Sequence, residues 1–166
     1  NFLLVNIIKH TMKCWIFYEK DMMVIGFHSR SNAAKQIMNF KEFTVNIPSE
    51  NLMDEIEIGG FFHKVDKIQL SKLDYEIGEF IDAPIFTACP VSMECKVENV
   101  VMYGETANII ASIKKRVVNP ILIEDGKLNS DKLNSVLFFG DDNEKIYRYL
   151  RNLSDKAGKF YKNKFE

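Results

Sequence analysis

Residues 91–97 read Val91-Ser92-Met93-Glu94-Cys95-Lys96-Val97, an alternation of apolar and polar side chains that suits an extended strand with two unlike faces. The pattern predicts Val91, Met93, Cys95 and Val97 on a buried face, with Ser92, Glu94 and Lys96 facing water. Residues 99–103 continue the strand or follow a bulge, Gly104 is placed for a turn, and residues 107–118 read as the partner strand. A long hairpin therefore sets the frame around which everything else must pack.

Upstream of it, runs rich in β-branched and aromatic residues predict strands at 2–8, 13–18 and 23–28, with turn-like Glu19-Lys20-Asp21 between the second and third. Ser31-Asn32 precede Ala33, Ala34, Ile37 and Met38, the spacing of one helical face. Residues 43–47 form a further strand closed by Pro48. Ser49 then caps a second helix carrying Leu52, Met53 and Ile56, and Gly59-Gly60 stop it. A short helix is expected at 65–70, a tight turn at Asp125-Gly126, a short helix capped by Ser130, and a brief strand at 137–139. The stripe Ile146, Tyr149, Leu150 and Leu153 predicts an amphipathic helix in the tail. Strands outnumber helices, without regular βαβ alternation. The expected class is mainly β with peripheral helices, a β-barrel in one domain over residues 1–166.

Bulk properties narrow the function. A net charge of −1 argues against a nucleic-acid binder, and the apolar opening at residues 1–8 is too short to cross a bilayer. Three cysteines, an odd number, make no disulfide framework, so a reducing cytoplasm is expected. The chain opens on Asn1 inside an apparent strand, so that the N-terminal strand is expected to be truncated. Cys89 and Cys95 are not a Cys-x-x-Cys pair, and Cys14, His10, His28 and His63 lack zinc-ligand spacing, so no metal is expected. Neither a dinucleotide fingerprint, a Walker loop nor a nucleophile elbow occurs.

The arrangement best suited to a ligand is Ser29-Arg30-Ser31-Asn32-Ala33-Ala34-Lys35, where a strand hands over to a helix. The first N–H groups of a helix lack internal acceptors and carry the positive end of its dipole. Arg30 adds a planar fork, Ser29 and Ser31 add hydroxyls, and Lys35 adds a point charge one turn on. Those groups suit a phosphate monoester. On the local sequence alone a plain helix start is the better fit, with Ser31 as cap and Arg30 and Lys35 solvated, because serine-rich helix starts are common.

Val24-Ile25-Gly26-Phe27 is followed by Ser29-Arg30-Ser31, then by Lys41-Glu42-Phe43-Thr44-Val45-Asn46-Ile47-Pro48-Ser49. Gly59-Gly60, Val65-Asp66-Lys67, Ala83-Pro84 and Cys89-Pro90-Val91-Ser92-Met93-Glu94-Cys95-Lys96-Val97 come next, with fainter Asp125-Gly126-Lys127-Leu128 and Ala157-Gly158-Lys159. Each motif is weak, but their order and spacing over most of the chain resemble the flavin reductase-like, FMN-binding split-barrel family, nearest its flavoredoxin-like branch.

The resemblance implies a homodimeric split barrel holding FMN non-covalently, with Ser29, Arg30, Ser31, Asn32 and Lys35 at its phosphate. It also implies that the loop at 61–64 lies near a flavin, with Phe62 among the contacts and His63 as a proton source or nicotinamide contact; an exposed loop histidine is the alternative for His63. The implied activity is an NAD(P)H:flavin reductase-like oxidoreductase, with NADH or NADPH as transient co-substrate. The alternatives are an FMN-containing electron carrier serving a redox partner protein, or a flavin-free dimeric barrel. The chain departs from the family at Met22-Met23, where members carry a pair of prolines, and in its early strands. Thr11, Met12, Lys13, Cys14 and Trp15 are the candidates for the wall those strands give the isoalloxazine.

Overall fold

The computed structural model describes residues 2–4, 21–62, 66–140, 144–150, 155 and 159. Along them run β1 (Phe2–Leu4), β2 (Met22–His28), α1 (Asn32–Phe40), β3 (Glu42–Ile47), α2 (Met53–Phe61), α3 (Lys67–Ser71), β4 (Tyr75–Ile77) and β5 (Pro84–Phe86). The long strands β6 (Val91–Tyr103) and β7 (Thr106–Val118) follow, then β8 (Ile123–Glu124), β9 (Lys127–Leu128), β10 (Val136–Gly140) and β11 (Lys145–Tyr149).

The expected hairpin is the central pair of a five-stranded sheet ordered β1-β3-β6-β7-β2. Its turn is Gly104-Glu105, with Gly104 at φ +56°, a value open to glycine at the first position of a two-residue hairpin turn. Two register shifts, at Glu94/Cys95 and Val97/Asn99, increase the twist of β6 and curl the sheet. β2 and β3 add antiparallel, and β1 adds parallel to β3.

One face of the sheet is apolar. Phe27, Ile25 and Met23 of β2, Phe43 and Val45 of β3, Met93 and Cys95 of β6, and Ile109, Ala111 and Ile113 of β7 are all buried there. Ala34 and Ile37 of α1 join the same core from above, as their helical spacing predicts.

The opposite face corrects an expectation. Alternation assigns Ser92 and Glu94 to water, yet both are buried, at 1 % and 0 % exposure, beside Thr44 and Asn46 of β3. The segment from residue 78 to 90 lies over them and supplies partners. Thr44 Oγ1 donates to the Pro84 carbonyl at 2.6 Å, Phe86 N–H donates to Asn46 Oδ1 at 3.1 Å, and Ser92 Oγ donates to the same oxygen at 2.8 Å. Phe80 N–H donates to Glu94 Oε2 at 2.7 Å. Polar side chains can be buried there because an irregular backbone uses them as hydrogen-bond partners. Beyond this layer Leu52, Phe86 and Cys89 form a small second core, where Tyr75 meets Phe86 edge-on at 6.4 Å.

Four further expectations change. The tail stripe is not a helix through 146–149: those residues form β11, which pairs with β10 from Val136↔Tyr149 to Gly140↔Lys145. An apolar β10 needs a hydrogen-bonded neighbour, and the Phe138–Tyr147 ring contact at 5.6 Å completes the pair. Gly59-Gly60 do not stop α2, which runs on to Phe61. Ser49 does stand at the N-cap of the 3₁₀ turn Glu50–Leu52 that leads into α2, but its hydroxyl makes no capping bond and bonds Asn51 instead. Likewise Ser130 begins a single 3₁₀ turn capped by Asn129. The expected strand at 13–18 and most of that at 2–8 lie outside the described residues.

Candidate functional site

The handover from β2 to α1 is fixed by local hydrogen bonds. Ser31 takes extended dihedrals (φ −64°, ψ 150°), and its hydroxyl oxygen accepts from Ala34 N–H at 3.2 Å, an N-cap of the usual kind. Its carbonyl accepts from Lys35 N–H at 3.0 Å, and its own N–H donates to the His28 carbonyl at 2.9 Å. Ser31 is therefore a cap, as one of the two local readings had it. Its O–H hydrogen is still free to donate outward, because the cap uses only a lone pair. Asn32 and Ala33 lie in the first helical turn, where geometry gives their N–H groups no carbonyl four residues back.

Ser29, Arg30, Ser31, Asn32 and Lys35 are thus brought together on one loop and one helical turn. Arg30 is not simply solvated. Its Nη2 donates to Glu105 Oε1 at 2.6 Å, although the side chains are 77 % and 63 % exposed. His28 Nε2 lies 3.4 Å from the other carboxylate oxygen, and Arg30 N–H donates to His28 Nδ1 at 3.2 Å. Ser29 N–H donates to the Glu105 carbonyl at 2.8 Å, so main chain as well as side chains join the loop to the β6–β7 turn. Glu105 and His28 are the residues that sequence reading missed. Glu105 stands at the hairpin turn, distant from Arg30 along the chain, and no local pattern marks the contact.

Phe62 sits elsewhere, at the C-terminal end of α2, with its ring half exposed. His63 falls outside the described residues, as do Cys14 and Trp15. A separate cavity of about 300 Å³ opens between Ser49, Glu50, Asn119, Lys132 and Asn134. Several of its polar groups are engaged already: Asn119 Oδ1 accepts from Ile121 N–H, Lys132 pairs with Glu124 at 2.5 Å, and Glu50 N–H donates to the Asn134 carbonyl.

The two described thiols, Cys89 and Cys95, belong to the core. Cys95 is fully buried with its Sγ 3.6 Å from Met23 Sδ, and Cys89 lies in the second core. Burial pushes both thiols up to about 12, with Glu55 adding to the effect at Cys89. Among the described residues no group of three His, Cys, Asp or Glu side chains is placed to hold a metal ion, and no helix is long and apolar enough to cross a membrane.

Residues 18–139 match the family described as flavin reductase like domain. A relative from Aquifex aeolicus (strain VF5), itself described as an uncharacterized protein, is 28 % identical over 126 residues, which is 71 % of this chain. This chain spans only 64 % of that relative's length. Among solved structures, flavoredoxin from Methanosarcina acetivorans superposes with a TM-score of 0.73 at 21 % identity, over 84 % of this chain and 76 % of its own. An FMN-binding protein from Thermus thermophilus, solved with bound p-hydroxybenzaldehyde, gives 0.70 at 12 % identity, over 87 % and 77 %. At these identities the likeness is one of fold, the split barrel.

Proposed function

Because the chain belongs to the flavin reductase-like domain family, we propose that it is a flavin-dependent oxidoreductase that binds FMN and takes reducing equivalents from NADH or NADPH. The observation that carries this reading is the clustering of Arg30, the Ser31 hydroxyl and the first N–H groups of α1 on one loop and helical turn. That donor set fits a phosphate monoester in charge and in hydrogen-bonding type. Arg30 holds two of the phosphate oxygens, Ser29 and Ser31 donate their hydroxyls, Asn32 offers its main-chain N–H, and Lys35 adds charge. Phe62 and His63 serve the ring end of the ligand, Phe62 as an apolar neighbour and His63 as a proton source or a nicotinamide contact. The flavin supplies the hydride and electron chemistry, which relieves the protein of providing a catalytic acid–base pair.

A second reading, an FMN-bearing carrier that passes electrons to a protein partner, is favoured by the likeness to the Methanosarcina flavoredoxin. A homodimer accompanies either reading. Its support is the apolar end of the central hairpin, where Val101, Met102 and Tyr103 are exposed, Tyr103 at 84 %.

The deciding experiment is titration of the purified protein with FMN and riboflavin, then anaerobically with NADH and NADPH. Flavin bands that bleach with nicotinamide support the reductase. Bands inert to nicotinamide but reduced by a protein donor support the carrier. Absence of flavin uptake refutes both. Arg30→Ala should weaken FMN more than riboflavin, and equal losses would place the phosphate elsewhere. Light scattering on the flavin-loaded protein tests the dimer; a monomer mass across dilution rejects it.

A further inference from the structure

Glu105 places a carboxylate against the donors of the loop that the proposed function assigns to phosphate. Its Oε1 accepts from Arg30 Nη2 at 2.6 Å, and its Oε2 stands 3.4 Å from His28 Nε2. The His28 ring is oriented for this: its Nδ1 accepts from Arg30 N–H at 3.2 Å, so Nε2 carries the hydrogen and faces Glu105. The bond from Ser29 N–H to the Glu105 carbonyl, 2.8 Å, holds the turn beside the loop whatever the side chain does. The carboxylate is thus tethered to the guanidinium through the fold yet exposed enough to leave it.

Resting on the reading of this loop as a phosphate site, we propose that Glu105 is an internal competitor, an anion of the fold that occupies Arg30 until a phosphate displaces it. Glu105 engages Nη2 of the guanidinium, so a phosphate that takes the same N–H group must displace the carboxylate from it. A tethered carboxylate acts at a high effective concentration, which a free monoanion at ordinary concentration does not match. A phosphate monoester carries nearly two charges near neutral pH and brings further bonds to the serines, so it displaces Glu105. A ligand without the ester, riboflavin, neither needs the exchange nor gains from it. The carboxylate thereby weakens every ligand that must take Arg30 from it by the same factor and leaves riboflavin untouched.

The test measures dissociation constants for FMN and riboflavin by flavin fluorescence, in wild type, Glu105→Gln, Arg30→Ala and the double variant. Glu105→Gln keeps the shape of the side chain and removes its charge. It is expected to tighten FMN by about two- to fivefold, the scale of one exposed ion pair. Riboflavin should be unchanged, and the gain should vanish in the Arg30→Ala background and at high salt. Glu105→Ala serves as a second variant, with thermal melts confirming that each is folded. If Arg30→Ala weakens FMN selectively while neither Glu105 variant tightens it, the phosphate site stands and the competitor is overturned. FMN binding weakened in both Glu105 variants overturns it too, with Glu105 then orienting Arg30. If Arg30→Ala costs FMN no more than riboflavin, the phosphate reading falls and the competitor with it.

Discussion

Gly78 and Glu94 approach so closely that no side chain fits between them: a Cβ on Gly78 would stand 2.8 Å from Glu94 Oε2 and 2.9 Å from the Ile81 carbonyl. The same oxygen accepts from Phe80 N–H, so the glycine lets the segment after β4 descend onto a buried carboxylate. Gly78→Ala should cost about 1–3 kcal/mol, the usual price of overpacking a filled site. Urea melts would show a lower midpoint with an unchanged slope; a midpoint equal to wild type would mean that the segment shifts freely.

Asn46 is the hub of the buried polar layer. Its Oδ1 accepts from Phe86 N–H and from Ser92 Oγ, and its Nδ2 donates to Thr44 Oγ1 at 3.1 Å. Asn46→Ala removes no large apolar surface but strands these groups away from water. Each one left without a partner costs about 1–3 kcal/mol, so the variant is expected to be among the least stable single changes in the chain. Equilibrium denaturation alongside Ser92→Ala provides the comparison. A loss at Asn46 no larger than that at Ser92 would show that the layer does not act as a network.

Ser31 has a structural duty that can be separated from ligand binding. Ser31→Ala should lose about 1 kcal/mol of stability without any flavin present, because Ala34 N–H loses its cap. Ser31→Asp should restore the cap while placing a negative charge where the phosphate is proposed to sit. Recovery of the melting temperature together with weakened FMN binding is the expected result. A melting temperature for Ser31→Ala equal to wild type would argue that the cap contributes nothing.

The buried thiols predict an alkaline limb. Cys89 and Cys95 are raised from the ordinary 9.0 to about 12 in the folded protein, so an unfolded chain loses these protons first. Their contribution to stability is present below pH 9 and is lost as pH rises from there toward 12. The wild-type stability should therefore fall more steeply over that window than that of a Cys89→Ala, Cys95→Ala variant; parallel curves would contradict it. Both thiols should also resist alkylation at neutral pH in the folded state. Replacing all three cysteines by serine should leave electron transfer through a bound flavin intact; a variant that binds flavin normally but passes no electrons would require a thiol relay.

How much of this was legible in the sequence follows from what each residue must satisfy. The 91–97 alternation and the 107–118 run fixed the hairpin, because period-two patterning leaves few choices when one face is apolar. Alternation could not tell that Ser92 and Glu94 are buried, since a polar side chain covered by an irregular segment looks the same as one covered by water. Ile146 and Tyr149 match a helical stripe as well as a strand, and only the neighbouring β10 decides between them. At the candidate site the loop from Ser29 to Lys35 was visible because its donors are contiguous. Glu105 was not, because its contact with Arg30 depends on β2 and β7 lying side by side.

The two-residue turn between β6 and β7 also bears on the order in which the chain assembles. Strands joined so tightly close with little loss of loop entropy, whereas β2 must bridge α1, β3 and everything up to β6 before it reaches β7. The central hairpin is therefore expected to gain protection first in pulse-labelled hydrogen exchange during refolding, with the β2–β7 ladder following. The loop from Ser29 to Lys35 would then be the last part of that edge of the sheet to take shape, since it meets Glu105 only when the ladder closes.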